Sequence, residues 1–322
     1  MSARAELVAD RGAAASGPEF FRSPQFLAAE GATHTLRIEA AGRQLLAPLV
    51  VREIPGSDRR DGVSPYGYPG LAVTGAAEVD HTGEGESPPA PLDPASIDLS
   101  ATGLVSAFVR HVLGPPPLAG ARERNVVQIA DPALPRKSRP SDRNRVNRNV
   151  RDGYEVRILP GRETVEEDRA GFHLAYEQTM RRTDAAERYL YDRAYFDLLL
   201  SSDRAWLAMA LAPDGAVAAG SLTVESDGHL HYYLSGSADD RLSDSPMKNI
   251  VSALVDLAVE RDMPLNLGGG ITRGDRLEEF KRGFANRELP WHTSELICDP
   301  TAYRALSTGR PQTDFFPRYR FR

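Results

Sequence analysis

The stretch AWLAMALAPDGAVAAGSLTVESDGHLHYYLS, residues Ala205 to Ser235, decides how the chain folds. Three runs rich in Leu, Val, Ala and aromatic residues are separated by Asp214-Gly215 and Asp227-Gly228. Asp-Gly between such runs signals a hairpin, because the tight turns that match strand twist need positive φ at their centre. The pattern predicts three strands, Ala205 to Leu211, Ala216 to Glu225 and His229 to Ser235, in an antiparallel meander. On the third strand Tyr232 and Tyr233 take opposite faces, while His229 and His231 share one. Two histidines without a third ligand nearby read as strand packing rather than a metal site.

Working outward, Phe172, Ala175, Tyr176, Thr179 and Met180 fall at helical spacing within Val165 to Arg182, and a shorter helix covers Arg193 to Leu200. Downstream, Ser245-Pro246 starts a helix with apolar Met247, Ile250, Val251, Leu254, Leu257 and Ala258. Pro264 to Leu267 is a short strand running into Gly268-Gly269-Gly270. A helix from Asp275 to Phe284 and a strand from Trp291 to Ile297 follow. Helix, helix, three-strand meander, helix, strand, helix, strand is the order of the GNAT N-acyltransferase fold.

The first half echoes that order. Ser23-Pro24 opens a helix into Gln25 to Glu30, and strands Thr33 to Ala40 and Gln44 to Glu53 flank a turn at Ala41-Gly42. Ser64-Pro65-Tyr66-Gly67-Tyr68-Pro69-Gly70 is irregular, and Asp80 to Pro94 is a polar loop. Ile97 to Leu113 carries a helical stripe, and Asn125 to Ala130 is a strand. The expected class is α/β (α+β), with two GNAT-like domains in tandem and the second more complete. Residues 1–19 are expected to be disordered, 20–135 to form the first, acceptor-side domain, 136–153 a basic linker, and 154–322 the second, donor-side domain.

Composition narrows the function. The 322 residues carry a formal charge of −6, against indiscriminate nucleic-acid coating, and a single cysteine, Cys298, which excludes an internal disulfide framework. No apolar run approaches the roughly 20 residues of a membrane helix, and the start has no secretion-signal pattern, so a cytoplasmic location is expected. Positive charge is concentrated in Arg136, Lys137, Arg139, Arg143, Arg145, Arg148 and Arg151. Such a run is either a solvated helix face or a surface for phosphate or RNA.

Four segments resemble the Fem family, transferases that move an amino acid from aminoacyl-tRNA to an amine. Leu267-Gly268-Gly269-Gly270 followed by Asp275, Leu277, Phe280, Lys281 and Phe284 is similar to the family's strand–Gly-Gly–helix segment ending in Phe-Lys and an aromatic. Tyr232-Tyr233-Leu234 leading to Ser245-Pro246, Thr179 with Arg182 ahead of Tyr195-Phe196, and basic Lys137 to Arg148 ahead of Tyr154-Glu155-Val156 support it. The resemblance implies a FemX-like enzyme of the GNAT superfamily. It would form an amide by moving an aminoacyl group from aminoacyl-tRNA to a peptidoglycan precursor, an amino sugar or a peptide-type natural product. Aminoacyl-tRNA is then co-substrate and no further cofactor is needed. Lys281 and Asp275 are the expected catalytic residues. Phe280, Gly269, Gly270, Arg143, Arg148 and Arg182 are expected on the donor side, and Tyr66, Tyr68 and Tyr233 on the acceptor side.

The residues themselves leave alternatives. Leu277, Phe280 and Phe284 predict a buried stripe with Lys281 on the same face, and Glu278, Glu279 and Arg282 towards water. A lysine beside an apolar seam either snorkels or meets an anionic partner. Asp275 and Asp184 are bases, substrate anchors or helix caps. Tyr66 and Tyr68 line a site or pack. An acyl-coenzyme A enzyme would hold pyrophosphate on a glycine-rich turn before its central helix, but Ser237 to Pro246 has no glycine and carries Asp239, Asp240 and Asp244. That disfavours acetyl-coenzyme A as donor. A noncatalytic module binding RNA or protein is the third reading, disfavoured by the Phe280-Lys281 segment.

Overall fold

The computed structural model describes residues 3–14, 19–40, 42–74 and 90–321. In chain order the elements begin with β1 (Ala3–Val8), α1 (Pro24–Ala29), β2 (His34–Ala40), β3 (Arg43–Glu53), β4 (Arg60–Val63), β5 (Ala72–Thr74), β6 (Ile97–Asp98) and β7 (Ser106–Arg110). Then come β8 (Arg122–Ala130), α2 (Pro140–Arg151), β9 (Glu155–Pro160), α3 (Glu166–Arg182), α4 (Arg193–Leu200), β10 (Ala205–Leu211), β11 (Val217–Ser226) and β12 (His229–Ser237). The last are α5 (Met247–Glu260), β13 (Leu265–Gly268), α6 (Arg276–Arg282), β14 (Arg287–Ile297) and α7 (Pro300–Ser307). The chain makes two compact units, Met1–Arg124 with Pro290–Arg322, and Asn125–Leu289. The division therefore differs from a split near residue 135. The end of the chain belongs with the first unit, and 136–153 is part of the second, mostly as helix α2.

In the first unit the strand order is β6-β1-β2-β3-β4-β7-β14, with β5 beside β3. Leu36, Ile38, Leu45, Leu49, Ala107, Val109 and Leu296 form its core. The expected disorder of residues 1–19 is corrected for Ala3–Val8, which pair antiparallel with β2 from Arg4–Glu39 to Val8–Thr35. A strand of Ala, Arg, Ala, Glu, Leu and Val, with Val8 its one β-branched residue, has little propensity alone and forms because a partner edge is present. The expected helix over Ile97 to Leu113 is instead β6 and β7. Gly103 breaks the run at φ 64°, and β7 lies between β4 and β14. A strand with a partner on either side and an apolar run of this length cannot be told from a helix by periodicity. Of the polar loop expected at Asp80 to Pro94, residues 80–89 lie outside the described residues, as does Ala41 of the first hairpin turn.

In the second unit the order is β8-β13-β12-β11-β10-β9, and the meander β10–β11–β12 pairs antiparallel as expected. Ala208, Ala210, Ala219 and Leu230 pack against Ile250, Val251 and Leu254 of α5. On the opposite face Gly220 meets α3, where a Cβ would come within 2.6 Å of the Phe172 ring. Consecutive Ala219 and Gly220 thus place α5 and α3 on the two faces of one sheet. Helix α2 packs on α5, with Asn149 Nδ2 donating to Asn249 Oδ1 at 2.7 Å and Lys248 Nζ 2.8 Å from the buried carboxylate of Asp142. Among the described residues no helix is long and apolar enough to cross a membrane.

Two features of β12 prepare the site. It pairs parallel with β13 at Leu230–Leu265 and His231–Asn266. Immediately beyond, its register with β11 slips between Tyr232–Thr223 and Leu234–Leu222, leaving Tyr233 as the extra residue of a β-bulge.

Candidate active site

Strand β13 ends in the glycine turn, and six backbone groups of that turn are held by side chains. Asn266 Oδ1 accepts from Gly268 N–H at 2.8 Å. Lys281 Nζ donates to the Gly269 carbonyl at 2.6 Å, and Asn125 Nδ2 to the Gly270 carbonyl at 2.9 Å. Asp275 Oδ2 accepts from Ile271 and Thr272, and Glu278 Oε2 accepts from Gly274 N–H at 2.8 Å. Glycine is required here by close approach: a Cβ on Gly269 would lie 2.4 Å from Asn125 Nδ2, and one on Gly270 2.4 Å from Asp275 Oδ1.

Lys281 is only 8% exposed. Burial drives its pKa down to about 8, and the nearby carboxylates of Asp275 and Glu278 oppose the fall. It therefore does not snorkel; its ammonium is retained inside by a carbonyl and two neighbouring carboxylates. Asp275 is the N-cap of α6, its Oδ1 accepting from Glu278 N–H at 2.8 Å. Burial raises its pKa, but backbone N–H donors of Glu278, Thr272 and Ile271 outweigh this and hold it below the ordinary value. A carboxylate so engaged is suited to fixing the turn, and poorly suited to taking a proton.

The face of α6 differs from expectation. Glu278 is buried and Leu277 is 40% exposed, the reverse of the stripe drawn from apolar residues. Glu278 turns inward because it bonds the Gly274 amide and pairs with Arg282. Phe280 packs on Phe284, ring centroids 5.7 Å apart, against the core beneath α5. Asn125, Asn266 and Glu278 hold this candidate site and were not singled out by sequence reasoning. A single polar residue within a strand carries no periodic signal, and Glu278 looks like one more solvated charge.

The other expected residues lie elsewhere in the second unit or in the first. Arg182 pairs with Asp239 and donates to Thr179 Oγ1 at 3.0 Å, while Thr179 Oγ1 accepts from Ser237 N–H at 2.9 Å, so this set ties α3 to the end of β12. Arg143 and Arg148 are exposed on α2, the first bonded to the Ser138 carbonyl and the second 3.4 Å from Asp152. A groove of about 330 Å³ is lined by Arg136, Ser138, Arg143, Val146, Asn147 and Ser252. In the first unit Tyr68 makes edge contacts with Phe21 and Trp291, at 5.5 and 5.7 Å between centroids, which is packing. The Tyr66 amide donates to Glu30 Oε2 at 2.8 Å, fixing the loop. Tyr232 packs on the α5 side, and its hydroxyl accepts from Ser235 Oγ at 2.6 Å.

Among the described residues no group of three or more His, Cys, Asp or Glu is placed to hold a metal. Asn266 Nδ2 donates to His231 Nδ1 at 3.0 Å, so Nε2–H donates to the Ser226 carbonyl at 3.1 Å. Burial pushes His231 down to about 3, and His111 of the first unit, beside Ser294 Oγ at 2.8 Å, down to about 4. The sign follows from linkage. Below the ordinary value of 6.5 the unfolded chain binds a proton at each histidine that the folded unit refuses. Stability is thus fully present above about 6.5 and falls with pH towards 4, by about 1.4 kcal/mol per pH unit for each histidine. Urea unfolding between pH 7 and 4.5 should show this slope, and His111→Gln should reduce it for the first unit. An unchanged slope in that variant would show that other groups control the acid limb.

Residues 136–282 match the family model for the acetyltransferase (GNAT) domain. No curated protein matches the chain in sequence. Among solved structures FemX is similar in fold, at TM-score 0.56 and 10% identity over 84% of this chain and 89% of that one. So is a C-terminal domain assigned to lysylphosphatidylglycerol synthetase from Agrobacterium fabrum, at TM-score 0.55 and 12% identity over 91% and 92%. L-PGS from Bacillus licheniformis gives TM-score 0.50 and 12% identity over 88% and 94%. Residues 136–282 are thus similar to the acetyltransferase (GNAT) domain family, and over most of its length the chain has the fold seen in FemX and in these two further structures.

Proposed function

We propose that the protein forms amide bonds by transferring an aminoacyl group from aminoacyl-tRNA to a small amine-bearing acceptor. The observation that carries this reading is the turn between β12 and α5. Coenzyme A pyrophosphate needs backbone N–H groups pointing outward there. In this chain the turn is a 3₁₀ segment, Asp239–Asp244, with two acidic residues in its first turn. Its Asp239 amide bonds Gln178 Oε1, and those of Arg241, Ser245, Lys248 and Asn249 bond carbonyls of the turn. Names of the relatives in fold point the same way, since lysylphosphatidylglycerol describes a product bearing an aminoacyl group.

The acceptor nitrogen attacks the carbonyl carbon of the aminoacyl ester, so a C–N bond forms and an oxyanion develops. The ester C–O bond then breaks, its electron pair staying on the terminal ribose oxygen of the RNA, which takes a proton. The nitrogen loses one in the same exchange. An ester is already activated, so the protein's part is alignment and charge. Lys281, mostly protonated at pH 7 with a pKa of about 8, supplies the positive charge from a fixed position. Arg143, Arg148 and the groove between α2 and α5 are proposed to meet RNA phosphates.

Candidate amines would be incubated with charged tRNA or with acetyl-coenzyme A and the products weighed by mass spectrometry. The expected product bears an aminoacyl group and disappears with RNase. An RNase-resistant product made from the thioester moves the chain to coenzyme A chemistry, and no product from either donor favours a binding module.

A further inference from the structure

The second unit has a hollow whose residues have been given no part in the reaction so far. It lies between the end of α3 and the segment leading into α4, holds about 350 Å³, and is lined by Met180, Leu190 and Tyr191 together with Glu177, Arg181 and Asp184. That is the small end of the range for small-molecule pockets, about 300–1,000 Å³. One wall is apolar, formed by Met180, Leu190 and Tyr191, and Leu190 stands 58% exposed. Tyr191 is held flat by stacking on Tyr195, centroids 3.9 Å apart and planes 10° from parallel.

The charges at the rim are arranged unusually. Arg181 follows Glu177 by four residues and precedes Asp184 by three, spacings that normally produce ion pairs along a helix. Glu177 instead faces His173, at 4.0 Å. Asp184 lies past the end of α3 in the left-handed region at φ 49°, which takes it off the helical ladder. Neither the Arg181 guanidinium nor the Asp184 carboxylate has a side-chain partner among the described residues. A hollow with an apolar wall, one guanidinium and the carboxylates of Asp184 and Glu177 matches a ligand with an apolar body, one carboxylate and one ammonium. A simple cation or anion would satisfy half of it.

We infer that this hollow binds an α-amino acid with an apolar side chain: carboxylate to Arg181, ammonium to Asp184, side chain against Met180, Leu190 and Tyr191. As the acceptor of the transfer reaction, such an amino acid rests on the reading given above; its binding does not.

The test uses the intact chain and three probes, L-leucine, L-leucinamide and N-acetyl-L-leucine, with affinity measured by NMR titration without any acyl donor. Leucine should bind about five- to tenfold more tightly than either singly charged probe, a modest ratio because the rim is exposed. Arg181→Gln should bring leucine down to leucinamide and leave leucinamide unchanged. Asp184→Asn, which tolerates the same backbone, should bring leucine down to N-acetyl-leucine. Equal binding of the three probes, no binding at all, or variants that do not discriminate between them overturns the site. In the transfer assay the same variants should raise KM for the amino acid and keep kcat. If binding follows the charges but transfer ignores them, the acceptor role is overturned and the site stands. A donor other than tRNA leaves the titration readable.

Discussion

Lys281→Met is expected to lower turnover by about 10²-fold or more while the second unit stays folded. The magnitude is that seen when one preorganised oxyanion donor is removed from a buried site. Methionine keeps the length and packing of the lysine stem, and what is lost is one hydrogen bond to the Gly269 carbonyl and the charge. Asp275 and Glu278 remain satisfied by the Ile271, Thr272 and Gly274 amides, so no buried carboxylate is orphaned. The kinetic pattern identifies the role. A cation acting on the transition state lowers kcat and kcat/KM together, whereas one that holds RNA phosphate mainly weakens donor binding. The pH dependence gives a second reading. With Lys281 near 8, its contribution, taken as the ratio of wild-type to variant rate, should fall as pH rises through that value. A ratio that climbs instead identifies the neutral amine as a base. Near wild-type rate and donor affinity in the variant would remove Lys281 from the mechanism.

Arg320→Ala should cost the first unit about 3 kcal/mol, one of the larger effects open to a residue outside the site. Asp61 is fully buried, and Arg320 donates to both its oxygens and to the Glu53 carbonyl. Arg52 at 3.0 Å and the Tyr319 hydroxyl at 3.1 Å share the same carboxylate. Removing one partner leaves a buried charge partly compensated, which is why the loss falls at the lower end of the 3–5 kcal/mol range. Arg148→Ala is the control, since its pair with Asp152 is exposed and worth well under about 1 kcal/mol. Urea unfolding of both variants measures the difference. Equal midpoints would mean that Arg52 alone neutralises Asp61.

The double Asp-Gly pattern located β10 to β12 to within two residues, and the 3.6-residue stripes of α3 and α5 placed the helices of the same unit. Those elements are legible because local turn geometry and one-sided burial both write a period into the chain. The first unit lacks that redundancy. Its β1 forms only against β2, and β7 only between β4 and β14, contacts across long stretches of sequence.

The candidate site divides along the same line. Sequence alone determined that a lysine follows a glycine turn, four residues after Leu277 and beside Phe280, with Asp275 placed to cap the helix between. Only the tertiary structure decided which residues of α6 turn inward beside Lys281, and it chose Glu278 over Leu277. The reason is physical. The turn exposes backbone amides and carbonyls that cannot be buried unsatisfied, and the polar side chains of α6, with Asn125 and Asn266, supply their partners. That demand outweighs the burial of one leucine, and no periodicity in the chain records it.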